Sequence, residues 1–277
     1  MSFKIVSDSA SDLCELSDIS FESVPLKIIT NESEYIDNEN LDVNKMIDDL
    51  LVYKGVSHSS CPNSEDFKNA FSGFDNIFCI TITSGLSGSY NAASLALEEY
   101  LKDNPNANGY VIDSLSAGPE IALIIEKLKE LIKEDLEFNE IVEKIENYKK
   151  TTHLIFALES MRNLANNGRV SGAVAKIAGL LGIRVIGQAS LAGTLEIISK
   201  ARGEKKAYNE IFENIKKLGF KGGHIRIHHC RNEEGALKLK EMIKEEFENA
   251  QIIIEKTKAL CSFYAEDKGL LIGFDEE

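Results

Sequence analysis

Two hydrophobic periods alternate along the first half of the chain. Short apolar, β-branched runs recur at Phe3-Lys4-Ile5-Val6, Val24 to Thr30, near Val56, Ile77 to Thr83 and 109–113. Between them, apolar residues fall at helical spacing over Val43 to Tyr53, from Glu65 onward, Ser89 to Leu101 and Pro119 to Lys133, and a further stripe runs through Ile141, Ile145 and Tyr148. Strands that alternate with helices predict crossover units and a mostly parallel, twisted sheet covered by helices.

The rhythm changes after Lys149-Lys150-Thr151-Thr152, which predicts two α/β domains, 1–150 and 151–277. In the second, strands are expected at His153 to Ala157, Ile183 to Gln188, Thr194 to Lys200, Gly223 to His229, 251–255 and 270–274. Helices are expected at Glu204 to Leu218 and Glu233 to Phe247, with a turn at Asn166-Asn167-Gly168-Arg169 and a small-residue helix from Ala173 to Leu181. Some of these strands follow one another with no helix between, which suggests a mixed or antiparallel sheet.

Candidate chemistry sits where strands end. The run to Thr83 gives way to Ser84-Gly85-Leu86-Ser87-Gly88-Ser89-Tyr90, and a helical pattern opens at Ser89. Backbone N–H groups, hydroxyls and the positive end of a helix dipole suit an anion such as a carboxylate or phosphate, although Ser and Thr also cap helices for structural reasons alone. Similar polar clusters occur at Ser7-Asp8-Ser9-Ala10-Ser11-Asp12, at Ser57 to Ser64, and at Asp113 to Gly118. In a parallel sheet such junctions share the carboxyl edge of the strands, where ligands bind.

Composition narrows the classes. The 277 residues are 43% hydrophobic and 27% charged, with a formal net charge of −14, so phosphodiester backbones are repelled and no nucleic-acid partner is expected. Lysines at 205–206, 216–217 and 221 are interleaved with acidic residues, the mark of a solvated helix face. The chain enters a strand at once, with no basic and apolar leader, and Ser171 to Ile198 is interrupted by Lys176, Arg184 and Glu196, so neither a signal peptide nor stable membrane insertion is expected. Five cysteines at wide intervals with no CxxC fit free thiols in a cytoplasmic protein. His228-His229-Cys230 lies on a strand whose neighbours point to opposite faces, which disfavours a metal site.

Hydrolysis through Ser87 or Cys61 is the enzymatic reading. Gly85-Leu86-Ser87-Gly88-Ser89 lacks the last glycine of a nucleophile elbow, and only His58 lies near these junctions in sequence. A binding module for another small anion, such as a phosphorylated metabolite, is a third reading, without glycine-rich nucleotide signatures to support it.

Several segments together resemble the DegV family, the bacterial fatty-acid-binding proteins. Ile5-Val6-Ser7-Asp8-Ser9-Ala10-Ser11-Asp12-Leu13 is similar to its I-x-D-S-x-x-D-L opening, and Ser59-Ser60-Cys61-Pro62 stands where T-S-Q-P is usual. Thr83 to Tyr90 resembles S-S-x-L-S-G-T-Y, Val111-Ile112-Asp113-Ser114 the next strand end, Leu164 to Val170 the L-x-x-x-G-R-I turn, and Lys200-Ala201-Arg202 a further landmark. The resemblance spans about residues 3–202 in register.

It implies a long-chain fatty acid as bound ligand, with no other cofactor, buried between the two domains and presented to a separate fatty acid kinase subunit. The protein itself would not be an enzyme. The ligand residues implied are Ser59, Ser60, Ser84, Ser87 and Gly88, with the carboxylate on the Ser59 and Ser87 hydroxyls, and Arg169 on the kinase-docking surface. Ala173, Val174, Ile177, Ala178, Leu180 and Leu181 are candidates to surround the alkyl tail, or to be plain core. Burial at ~0.8 kcal/mol per methylene gives a sixteen-carbon chain about 12 kcal/mol of gross transfer free energy. The family's closing H-T-G-P-G histidine is missing from Cys261 to Leu271, where Tyr264 offers a substitute hydroxyl and Glu266 and Asp267 add charge.

Overall fold

The computed structural model describes residues 2–134, 136–173 and 182–277. It is an α/β protein with three sheets. The strands are β1 (Phe3–Asp8), β2 (Ser20–Val24), β3 (Lys27–Ile29), β4 (Glu34–Ile36), β5 (His58–Ser60), β6 (Asn76–Thr81), β7 (Asn108–Asp113), β8 (Thr152–Leu158), β9 (Ile183–Ala189), β10 (Leu195–Arg202), β11 (His224–His229), β12 (Gln251–Lys256) and β13 (Leu270–Asp275). The described helices are α1 (Val43–Val52), α2 (Ser64–Phe71), α3 (Ser89–Asp103), α4 (Pro119–Ile132), α5 (Phe138–Tyr148), α6 (Arg162–Asn166), α7 (Glu204–Lys217), α8 (Glu233–Glu246) and α9 (Ala259–Ala265).

The first sheet has strand order β2-β1-β6-β7, and all its pairs are parallel. Its central strands β1 and β6 are almost wholly buried, as expected where helices cover both faces. The second sheet, β10-β9-β8-β13-β11-β12, is mixed: β11 and β12 are parallel, joined through α8, and the other pairs are antiparallel. The first sheet ends at Asp113 and the second begins at Thr152.

Helix α4 lies between the two sheets, touching β1 and β6 on one side and β8, β11 and β13 on the other. Its first turn passes so close to β13 that a Cβ on Gly273 would stand 2.5 Å from the Glu120 amide nitrogen. The halves are also tied by charge: His228 Nδ1 lies 2.8 Å from Asp12 Oδ2, and both side chains are buried.

The run from Val24 to Thr30, expected as one strand, is broken. Pro25 has no N–H for a ladder, so β2 stops at Val24 and β3 starts at Lys27 in a separate sheet. That third sheet, β4-β3-β5, is antiparallel. It moves the strand expected near Val56 to His58–Ser60, and Val56 itself is exposed. Short α6 and α9 carried too few residues for a helical period to register, and α6 occupies the approach to the expected 166–169 turn. Of the candidate tail-lining residues, Ala173 is exposed, and Val174, Ile177, Ala178, Leu180 and Leu181 lie outside the described residues.

Candidate functional site

A cavity of about 320 Å³ lies between the first sheet, the third sheet and β8 and β13 of the second. Volumes from about 300 Å³ upward are typical of small-molecule sites. Strand periodicity supplies one wall: Leu154, Phe156 and Leu158 face the cavity, and Ile155 and Ala157 turn to the core beneath α7 and α8. Leu26, Ile82, Leu195, Leu260 and Leu271 continue an apolar lining.

Polar groups gather at one part of the wall. Ser59, Ser60, Cys61, Ser87, Gly88, Arg169 and Tyr264 all line it. The Ser59 Oγ and Tyr264 hydroxyls are 2.6 Å apart, joining β5 to α9. Burial raises the Tyr264 phenol pKa, which the Ser59 hydrogen bond and the nearby Arg169 charge only partly offset, so Tyr264 keeps its proton as a donor. The Arg169 Nε donates to the Leu86 carbonyl (3.0 Å), and its Nη1 to the Asn167 carbonyl.

Helix α9 is held from the other half of the chain. Asp37 accepts from the Ala259 and Leu260 amides at 2.8 and 2.9 Å, and Asp12 from the Lys258 amide at 2.7 Å. Burial drives the Asp37 pKa up to about 6 despite these amide donors. Behind Ser87 lies a second hydroxyl: Ser87 Oγ and Ser89 Oγ are 3.1 Å apart, and Ser87 also accepts from the Ser89 amide.

The structure brings Ser59, Ser60, Ser87 and Gly88 to one cavity, but not Ser84. Ser84 is exposed, and its amide donates to Asp113 Oδ1 at 3.0 Å on the outer side of the junction. Arg169, expected on a docking surface, is half-buried in the cavity wall because its guanidinium closes the turn after α6. The Ser57–Ser64 cluster reaches the site from the antiparallel third sheet rather than from a parallel strand end. The Asp113–Gly118 cluster contributes only Ala117 to the lining, since the Ser116 hydroxyl is spent on buried Glu120.

Glu266 and Asp267 are absent from the lining: the Glu266 carboxylate accepts from the Asn163 amide at 3.0 Å. Asn167 was missed by sequence reasoning. Its side chain accepts from the Ser59 amide and donates to the Ser57 and Asn163 carbonyls, fastening β5 to α6. The Asn166-Asn167-Gly168 turn was the visible signal, read only as a turn.

The hairpin between β9 and β10 docks on the same junction, with Thr83 Oγ1 donating to the Gly193 carbonyl at 2.8 Å. Gly193 has φ +71°, and a Cβ there would fall 2.1 Å from Thr83 Oγ1, so the position requires glycine. No helix among the described residues is long and apolar enough to cross a membrane.

The model of the DegV family of uncharacterised proteins matches residues 2–276. The chain belongs to the DegV family. A DegV domain-containing protein of Streptococcus gordonii is 45% identical over 279 residues, covering 99% of each chain. Among solved structures, a DegV family protein from Eubacterium eligens loaded with heptadecanoic acid superimposes with a TM-score of 0.98 at 42% identity, covering 100% of both chains. The Streptococcus pneumoniae fatty acid kinase B3 protein loaded with linoleic acid does so equally, with a TM-score of 0.98, 43% identity and the same coverage.

Proposed function

We propose that this DegV protein is a carrier that binds a long-chain fatty acid in the cavity and does no chemistry on it. The observation that carries the reading is the lining itself: an apolar wall with hydroxyl and guanidinium groups confined to one part. An alkyl tail gains from dry burial, and a carboxylate needs several donors once it leaves water. Ser59, Tyr264 and Ser87 would hold the carboxylate, with Ser60, the Gly88 amide and the Arg169 charge beside it. The two fatty-acid-loaded relatives of near-identical fold support the assignment.

A phosphorylated metabolite would find too little charge and too much hydrocarbon in this wall. A hydrolase would need a base on Ser87, whose hydroxyl instead pairs with the hydroxyl and amide of Ser89. Because the carboxylate would lie beside exposed residues Ser60, Cys61 and Gly88, a separate fatty acid kinase is the partner proposed to receive it, acting in the cytoplasm. Arg169 would then serve the head group first and any docking surface second.

The test is native mass spectrometry of freshly purified protein, with the ligand identified after denaturation. A co-purifying fatty acid, retained less well by Ser59→Ala and Ser87→Ala, is expected. Protein that is empty and fails to take up added linoleate would end the carrier reading.

A further inference from the structure

The buried histidine between the two halves of the chain connects to the polar part of the cavity. The side chains of His228, on β11, and Asp12, in the turn after β1, are 0% and 1% exposed. The His228 Nδ1 stands 2.8 Å from Asp12 Oδ2. The other oxygen, Asp12 Oδ1, accepts from the Lys258 amide at 2.7 Å, where the chain enters α9. Helix α9 carries Leu260, Cys261, Tyr264 and Ala265 into the cavity lining, and the Tyr264 hydroxyl is 2.6 Å from Ser59 Oγ. Direct contacts therefore lead from His228 through Asp12 and α9 to the polar end of the cavity.

On its far side the ring meets a second carboxylate. The His228 Nε2 lies 3.2 Å from Glu255 Oε2 on β12, an ion-pair contact without the alignment of a hydrogen bond. Either neutral tautomer leaves one ring nitrogen without a proton. A bare Nδ1 would set its lone pair against Asp12, and a bare Nε2 against Glu255. Only the imidazolium suits both. Resting on the fatty-acid reading above, we propose that His228 is a positioning residue for the head group: as an imidazolium it fixes Asp12, Asp12 fixes the start of α9, and α9 then presents the Tyr264 hydroxyl to the fatty carboxylate. Seven residues are too few for a helix to hold its place alone, so its hooks decide where Tyr264 points. Asp37 is a parallel hook, on the Ala259 and Leu260 amides, so His228 accounts for a share of the head-group affinity.

The surroundings support the charged ring. Burial opposes it, but the Asp12 and Glu255 carboxylates outweigh burial and raise the His228 pKa above the ordinary imidazole value. His228 in turn is the first cause that lowers the Glu255 pKa. Arg226 Nη1 holds Glu255 at 2.6 Å, and its Nη2 holds Glu126 of α4 at 3.3 Å. Charges therefore alternate in sign from Asp12 to α4. His229, next on the strand, has its pKa lowered by burial and adds no competing charge at neutral pH. Asp37 and Cys261 act on or feel Asp12 from behind, the Cys261 thiol held protonated by burial. Asp12 and Glu255 also line a second cavity of about 720 Å³, through which water can supply the ring's proton.

The unaltered protein carries the first test, because coupling between two sites is reciprocal and a ligand that engages Tyr264 must act back on His228. With histidine rings labelled with ¹⁵N, His228 should show both nitrogens protonated at pH 7. Its resonances should shift when linoleate binds, and shift far less with methyl linoleate, whose tail is the same and whose head carries no charge. The second test is His228→Gln, whose amide can still donate to Asp12 but brings no charge. It should bind linoleate roughly 3- to 10-fold more weakly and methyl linoleate within about twofold of the unaltered protein. A neutral His228 ring at pH 7, resonances indifferent to linoleate, or equal losses for acid and ester would overturn the inference and leave the carrier reading intact. Absence of linoleate binding by the unaltered protein overturns both. The ring spectra decide the matter even if the variant does not fold.

Discussion

Tyr264→Phe isolates one hydroxyl. The ring packs edge-on against Phe263 with centroids 4.8 Å apart, and phenylalanine preserves that contact. What is removed is the group 2.6 Å from Ser59 Oγ, at the polar part of the cavity. A hydrogen bond to a charged acceptor is worth about 1.5–3 kcal/mol, against about 1 kcal/mol for one between neutral groups. If Tyr264 donates to the fatty carboxylate, the variant should bind linoleate about 10- to 150-fold more weakly. Its folding stability should fall by only about 1 kcal/mol, the neutral Ser59 bond alone. The assay is paired titration of linoleate and its methyl ester, whose tail is the same and whose head carries no charge. The acid should lose most of its advantage over the ester in the variant. Equal losses for both ligands, or a change in the acid below about twofold, would refute the role of Tyr264 in holding the head group.

Acidity offers a second check, because Asp8 and Asp37 sit above the ordinary carboxylate value of 3.8 at about 7 and about 6. The folded state then holds protons that the unfolded chain has released, so their contribution to stability is full below about pH 4 and is lost as pH rises to about 7. The melting temperature should decline between pH 5 and pH 7 and level off above, with a shallower decline in Asp8→Asn; a rise across that window would contradict the burial argument. Thiol mapping with a maleimide gives a third. Cys14 and Cys61 are exposed, and Cys79, Cys230 and Cys261 are buried with thiol pKa values raised by burial, so only the first two should label in folded protein. Bound linoleate should protect Cys61, which lines the cavity, and leave Cys14 reactive; protection of both or neither would place the ligand elsewhere.

Much of the architecture was legible in local pattern. Period-two and period-3.6 runs marked β1, β6, β7 and the helices between them, because each buries one face and the spacing of apolar residues records which. The change after Thr152 was visible as strands in succession, and the hydroxyl-rich end of β6 identified Ser87 and Gly88 as candidates before any contact was known. Local pattern failed where elements were short or where a backbone detail intervened: Pro25 divided one apolar run between two sheets, and three-residue strands such as β5 carry too few positions to show a period. It failed differently at Ser84, whose neighbours in sequence reach the cavity although its own side chain faces water.

Sequence by itself determined the element types, the parallel and mixed halves and the residue kinds available to a carboxylate. Only the tertiary structure decided which hydroxyls meet. Ser59 and Tyr264 are separated by 205 positions, and Asp8 and Ile82 by 74. No local period encodes such pairs. They form because burying the apolar faces of α4, β8 and β13 fixes the two halves against each other, and polar groups trapped in that contact must find partners or cost the fold their desolvation.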